Sequence, residues 1–557
     1  MFSFLQLWIL PLLVAAAPSP LGWHFVQNGS TGVIPIEAIV VSPTLAILFD
    51  RVQNDPLQID GHNAWGALWN FETNTAMALR VVSDTWCGTG GFLSNGTMVS
   101  VAGNVAETPD TTDGRMMIRL FEPCTDPSGA SCPLIEDAQN LRLAQNRWYP
   151  SSLRIFDGSL MVVGGMHELA TFYNADPANS FEFFPSKDNG TPRPSPFLER
   201  TLPANLFPRV FALPDGKIFM IANTQSIIYD IETNTETRLP DIPNGVRVSN
   251  PFDASATLLP LNPPHFTPEV LVCGGSTKND SIPVEELSAQ DPASDQCSRI
   301  TLTPEGIKKG WIVERMLEGR VMSEMILMPN GKVMIINGAQ TGYGAFNSVL
   351  NRVAGEQSNS DHPAFTPVLY SPDAPLGSRF SKEGMPTTDI ARLYHSVVTL
   401  TPSGNIFIAG SNPNDGIVNT TKFHSEFRAE YLNPPYMSVQ RPVLHDVPAN
   451  IPFNHPFTVA IDVPAKIRAN NVKVALMDLG FSSHGFHSSL RLVFMDAVLA
   501  RDHKSITITS PPNNRVFPPG PAYIFLTIDD VTSTGAHVIV GDGGAPPVKD
   551  QGIPLRF

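Results

Sequence analysis

Short apolar runs rich in Val, Ile and Phe alternate along this chain with clusters of Gly, Pro and Asn, and apolar residues almost nowhere recur at a helical spacing. The pattern predicts an all-β protein. One unit repeats. A turn followed by an apolar strand occurs at Ser94-Asn95-Gly96-Thr97-Met98-Val99, Asp157-Gly158-Ser159-Leu160-Met161-Val162, Asp215-Gly216-Lys217-Ile218-Phe219-Met220, Asn330-Gly331-Lys332-Val333-Met334-Ile335 and Ser403-Gly404-Asn405-Ile406-Phe407-Ile408. The turn glycines lie 62, 58, 115 and 73 residues apart, and the double gap holds a plausible further member, Val270-Leu271-Val272-Cys273-Gly274-Gly275. An earlier strand, Leu45 to Phe49, adds one more.

Seven such units at roughly 50–60 residues predict a seven-bladed kelch-type β-propeller, each blade a four-stranded sheet that buries its faces against its neighbours. Leu68-Trp69-Asn70, Ile228-Tyr229-Asp230 and Leu369-Tyr370-Ser371 read as aromatic strand ends entering turns, as copies of one hairpin would. The competing arrangement is a set of unrelated hairpins in sandwiches. After Leu432-Asn433-Pro434-Pro435 and Arg441-Pro442 the pattern changes. Strand-like runs follow at Phe457–Ile461, Val472–Met477, Leu490–Phe494, Ile506–Thr509, Tyr523–Ile528 and His537–Val540, the turn density of a small immunoglobulin-like β-sandwich. The expected organisation is a leader over 1–17, a propeller over 18–440 and a sandwich over 441–557.

Composition agrees. With 52 Pro and 41 Gly among 557 residues, and 16% charged residues against a usual ~25%, helical bundles and coiled coils are excluded. The 37 basic and 52 acidic residues give −15 with no Lys/Arg run, so nucleic acid is not an expected partner. The apolar run Leu5 to Val14 followed by Ala15, Ala16 and Ala17 has the core and small-residue cleavage site of a secretory signal, although no basic residue precedes it. It is too short for a membrane anchor, which needs ~20 apolar residues. Five glycosylation sequons, at Asn28, Asn95, Asn189, Asn279 and Asn419, are compatible with secretion. Of the five cysteines, Cys124 with Cys132 and Cys273 with Cys297 are spaced for local disulfides, leaving Cys87 over. That cysteine is either an inert buried thiol or one with another covalent fate.

No phosphate-binding loop, dinucleotide fingerprint, zinc-protease helix or nucleophile elbow occurs in a fitting context. What remains is a set of Tyr, His and Cys residues in turns. Arg392-Leu393-Tyr394-His395-Ser396, Asn146-Arg147-Trp148-Tyr149-Pro150 and Asp84-Thr85-Trp86-Cys87-Gly88 each precede a blade hairpin, and a propeller brings equivalent places together around its axis. Two imidazoles with phenolate oxygens suit Cu(II).

These residues resemble the secreted copper radical oxidases, the group of glyoxal oxidase and galactose oxidase, over nearly the whole chain. The most specific parts are Trp86-Cys87, Arg147-Trp148-Tyr149, Arg392-Leu393-Tyr394-His395-Ser396 continuing to Gly410-Ser411-Asn412-Pro413, and Ser483-His484 with Arg491. The resemblance implies that Tyr149 is an equatorial copper ligand joined by a thioether to Cys87, that Tyr394 is the axial phenolate, and that His395 and His484 are the imidazole ligands. His484 then comes from the C-terminal domain. Adjacent strand residues point to opposite faces, so Tyr394 and His395 can share one metal only where the backbone is irregular. His487 reads as structural, and Met161, Met220 and Met334 as blade core.

The implied chemistry is a two-electron oxidation shared between one Cu(II) per chain and a Cys-linked Tyr149 radical, with Tyr394 as general base, O2 as acceptor and H2O2 as product. Extracellular peroxidases are the partners implied for that peroxide. Galactose oxidase carries a Trp just after the corresponding Gly-Gly, whereas here Gly164-Gly165-Met166 is followed by His167, a candidate for tuning the radical. The departure favours small aldehydes such as glyoxal and methylglyoxal over galactose. A primary-alcohol oxidase with the same site and a non-catalytic glycan-binding propeller are the alternatives.

Overall fold

The computed structural model describes residues 21–168 and 172–555, so the leader expected over 1–17 lies outside the described residues. Seven four-stranded antiparallel units make up the larger part. Their second strands are Leu45–Phe49, Met98–Val101, Leu160–Val163, Ile218–Ala222, Glu269–Cys273, Val333–Ile336 and Ile406–Gly410, which are the seven members of the sequence repeat. Six follow a tight hairpin turn, the fifth-blade strand Glu269–Cys273 instead follows a longer loop, and each is wholly buried or nearly so. The aromatic strand ends Trp69, Tyr229 and Tyr370 fall on third strands, at Gly66–Asn70, Gln225–Asp230 and Val368–Tyr370.

The innermost strands pack side by side in chain order: Thr89–Phe92 against Ser151–Arg154, then Arg209–Ala212, Ser255–Leu258, Glu324–Leu327 and Ser396–Leu400, which meets Glu37–Val40 of the first blade. The outermost strand of the seventh blade is His24–Ser30, from the start of the described chain, hydrogen-bonded to Arg428–Asn433. The first described strand and the last blade are thereby tied in one sheet.

A second device recurs from blade to blade. Arg119, Arg147, Arg209, Arg320 and Arg392 are buried, and each guanidinium donates to backbone carbonyls at a blade top: Arg147 to Gly164 at 2.7 Å and Ser180 at 3.0 Å, Arg392 to Gly410 at 2.6 Å. Acidic partners such as Glu182 and Glu430 compensate the charge, at 2.9 and 3.0 Å. A buried Arg fork satisfies several orphan carbonyls at once, which Lys could not do.

Beyond the propeller, two sheets face each other. One contains Val443–His445, Pro456–Asp462, Ser505–Thr509 and Ala497–Leu499, the other Asn450–Ile451, Ala536–Val540, Gly520–Ile528, Val472–Asp478 and Arg491–Met495. This sandwich is anchored to the blades by a buried Arg154–Asp478 ion pair at 2.8 Å and by Arg491, which donates to the carbonyl of Ala212 at 2.7 Å. From it the hairpin Phe481–Ser483 and Phe486–Ser488 enters the propeller. It extends the first blade through Glu37 and Ser483, while Phe486–Ser488 touches the inner strands of blades two to six. Gly90 makes room for it: a Cβ there would stand 2.6 Å from the Phe481 ring. Both expected disulfides, Cys124–Cys132 and Cys273–Cys297, are present, and Cys87 is free and buried.

Candidate metal centre

The residue two places before the innermost strand is left-handed in five successive blades: Cys87 at φ +58°, Tyr149 at +60°, Phe207 at +46°, Asp253 at +40° and Met322 at +56°. Non-glycine residues rarely adopt this conformation, and it costs about 1–3 kcal/mol where it occurs. Here it turns each blade top inward. Backbone bonds then run from blade to blade, Tyr149 N–H to the Cys87 carbonyl at 3.1 Å, Phe207 N–H to Tyr149 at 3.0 Å, and Met322 N–H to Asp253 at 2.8 Å. His395 has φ +62°, which is the irregular backbone expected between Tyr394 and its neighbour. The two rings lie together, tilted by 30° with centres 3.8 Å apart, instead of facing opposite ways.

At the axis the hairpin turn of the C-terminal domain completes the group. His484 (φ +50°) and Gly485 (φ +69°) form a two-residue turn of the kind that suits tight hairpins. A Cβ at Gly485 would stand 2.9 Å from the Ser323 carbonyl, so glycine is required by space as well as by φ. His484 Nε2 lies 3.3 Å from Cys87 Sγ, His395 Nε2 3.8 Å from the same sulfur, and the hydroxyls of Tyr149 and Tyr394 are 2.5 Å apart. Cys87, His395 and His484 offer ligand atoms within 4.8 Å of one another. All five side chains are buried. Residues 300 or more apart in sequence thus meet at one point, from blades two, three and seven and from the sandwich.

Each imidazole is held from behind. His395 Nδ1 donates to the Asn412 carbonyl at 3.2 Å, and His484 Nδ1 is bonded to the Ser483 hydroxyl at 2.8 Å. Both Nε2 atoms are left facing inward, the arrangement that fixes a metal-ligating tautomer. Phe207 stacks on His484 at 4.2 Å, and the Tyr149 ring lies between Phe207 and the edge of Trp148, at 5.0 and 4.8 Å. Burial pushes both phenols and the Cys87 thiol well up, with repulsion from Cys87 adding to it at both phenols, and pushes both imidazoles well down. The centre therefore holds neutral groups by itself. A bound cation inverts that preference, since it stabilises phenolate and needs neutral imidazole.

Two expected positions stand apart. His487 is buried, with its Nε2 2.7 Å from the Glu324 carboxylate. His167 is partly exposed, and its Nδ1 lies 3.2 Å from the carboxylate of Asp176. The supporting roles of Phe207, Asn412 and Ser483 were not anticipated. Phe207 had a signal, since Phe207-Pro208-Arg209 occupies the repeat position of Tyr149.

Residues 50–436 match the family model described as glyoxal oxidase N-terminus, and residues 441–540 that of the galactose oxidase-like early set domain. The chain is 30% identical to aldehyde oxidase GLOX of Vitis pseudoreticulata, over 94% of this chain and 98% of that one. It is 31% identical to aldehyde oxidase GLOX1 of Arabidopsis thaliana, over 85% and 74% respectively. A solved fungal alcohol oxidase in complex with copper shares the fold with a TM-score of 0.69 at 16% identity, covering 94% of this chain and all of that one. The chain belongs to the glyoxal oxidase family of copper radical oxidases.

Proposed function

We propose that this protein is a secreted oxidase that converts small aldehydes, as their hydrates, to carboxylic acids while reducing O2 to H2O2. The observation that carries the reading is the meeting of two inward Nε2 atoms with two phenol oxygens 2.5 Å apart in a buried pocket beside a free cysteine. That donor set, two imidazoles and two oxygens, fits copper. His395, His484, Tyr149 and Tyr394 are the residues that would hold Cu(II), which together with a Tyr149 ring joined to Cys87 supplies two one-electron oxidising equivalents. The balance is one aldehyde hydrate and one O2 giving one carboxylic acid and one H2O2.

The chain's own groups do the rest. Tyr394 Oη, hydrogen-bonded to Tyr149, is the base that takes the hydroxyl proton of the substrate. Phe207, Trp148 and Trp86 exclude water from the ring of Tyr149. The aldehyde reading is preferred over the alcohol one because two relatives at 30–31% identity are named aldehyde oxidases, whereas the alcohol oxidase shares only the fold. Peroxide made outside the cell would be consumed by peroxidases. Oxygen uptake with peroxide detection across aldehydes and matched primary alcohols tests this: faster turnover of the alcohols would overturn the substrate assignment, and inactivity of fully metallated, oxidised protein would favour a binding module.

A further inference from the structure

Where the sandwich meets the propeller, a small cavity of about 20 Å³ is lined by Arg154 of the third blade, Phe211 of the fourth, and Asp478, Ser489 and Arg491 of the C-terminal domain. That volume suits one occupant the size of a water or a single-atom ion, and it excludes sulfate, phosphate and organic acids.

The charges around the cavity do not balance. Arg154, Asp478 and Arg491 are 2%, 4% and 4% exposed. Asp478 is the one carboxylate in the lining, 2.8 Å from Arg154 Nη2, and it faces two guanidiniums. Burial, and after it repulsion from Arg154, lowers Arg491 to about 9, so both arginines stay charged at neutral pH and one positive charge is left over.

The hydrogen-bond donors point the same way. Arg491 uses its nitrogens on the carbonyls of Val516 at 2.7 Å, Ala212 at 2.7 Å and Arg515 at 3.4 Å. Arg154 is different: its Nε and Nη1 both lack an acceptor, and it is the one arginine among the described residues with two such buried nitrogens. A water in the cavity would accept a hydrogen bond but leave the surplus charge buried and unpaired, which is the costly state.

We propose that this cavity is a structural halide site, holding one chloride-sized anion that accepts from Arg154 and neutralises the surplus charge of Arg154 and Arg491. Its position gives the anion a task. Asp478 precedes, and Ser489 and Arg491 follow, the hairpin of Phe481–Ser483 and Phe486–Ser488. The Arg154 N–H also donates to the Ser489 hydroxyl at 2.9 Å. The anion therefore fastens both roots of the hairpin that carries His484 to the third and fourth blades.

Crystals of the copper-loaded full chain grown in sodium bromide and measured at the bromine absorption edge are expected to show an anomalous peak in this cavity. A cavity with no peak, whether it holds water or nothing, overturns the site. In solution, the thermal unfolding midpoint of the same protein at fixed ionic strength is expected to be at least about 2 °C higher in chloride or bromide than in gluconate, which is too large to enter. Arg154→Met removes the surplus charge and is expected to abolish that difference, whereas Asp478→Asn keeps both guanidiniums and should retain it. Equal midpoints for the wild type in halide and gluconate overturn the proposal. So does a halide shift of wild-type size in Arg154→Met, which would place the anion elsewhere, at copper included.

Discussion

His484, carried by the C-terminal sandwich, places its Nε2 3.3 Å from the sulfur of Cys87 on the second blade. The sandwich therefore builds the centre as well as covering the propeller. The buried Arg154–Asp478 pair and the strand pairing of Glu37 with Ser483 hold the hairpin at its depth. His484→Ala is expected to abolish stable copper retention through dialysis while circular dichroism stays that of the wild type. Full copper retention in that variant would remove His484 from the ligand set.

Ser483 acts one step further out. Its hydroxyl on His484 Nδ1 orients the imidazole, and loss of such a partner typically lowers metal affinity about 10–100-fold. Ser483→Ala should show that loss in a copper titration. An unchanged affinity would mean that the Phe207 stack alone orients the ring.

Cys87→Ser separates metal binding from redox chemistry. The serine keeps the size and the left-handed turn at φ +58° but offers no sulfur for conjugation with Tyr149. Copper content close to wild type with oxidase activity reduced at least about a thousandfold is the expected result, on the scale lost when one member of a catalytic unit is removed. Retained activity would contradict the radical account.

The wall beside the centre carries four buried carboxyl groups raised by burial: Glu37 to about 8, Asp84 to about 7, Asp50 to about 6, and Asp55 also raised, by burial and by its neighbour Asp50. A carboxyl whose folded pKa is raised binds its proton more tightly folded than unfolded, so stability is greatest in acid and falls as pH rises. For Glu37 the window runs from 4.5 to about 8. Thermal unfolding of the wild type should therefore move to lower temperature across that range. Glu37→Gln should flatten the decline and be more stable at pH 8 by on the order of a few kcal/mol. A wild-type melting temperature that climbs over the same range would contradict the assignment.

Much of this was legible in the chain because a propeller writes its blades as a repeat. The Asn95-Gly96, Asn330-Gly331 and Ser403-Gly404 turns each announce a second strand, and the seven strands so found are those of the structure. The residues at the axis were legible by their motifs, and Cys87 by being odd among five. Left-handed backbone leaves no such trace. Cys87 and Tyr149 are not turn-forming residues, and their φ values go with inter-blade hydrogen bonds such as Tyr149 N–H to the Cys87 carbonyl, a tertiary effect. The Arg forks were likewise hidden, since an arginine two places before an aromatic reads as surface charge until the carbonyls it meets are known.

The central claim is that Cys87 and Tyr149, neighbours across two blades with the Tyr149 N–H on the Cys87 carbonyl, become one cofactor. The most direct test is peptide mass analysis of aerobically copper-loaded protein after proteolysis and reduction. A single species in which the Cys87 and Tyr149 peptides are joined with loss of two hydrogens, resistant to reducing agents, is the expected result. Two separate peptides, with Cys87 free to alkylate, would contradict the account.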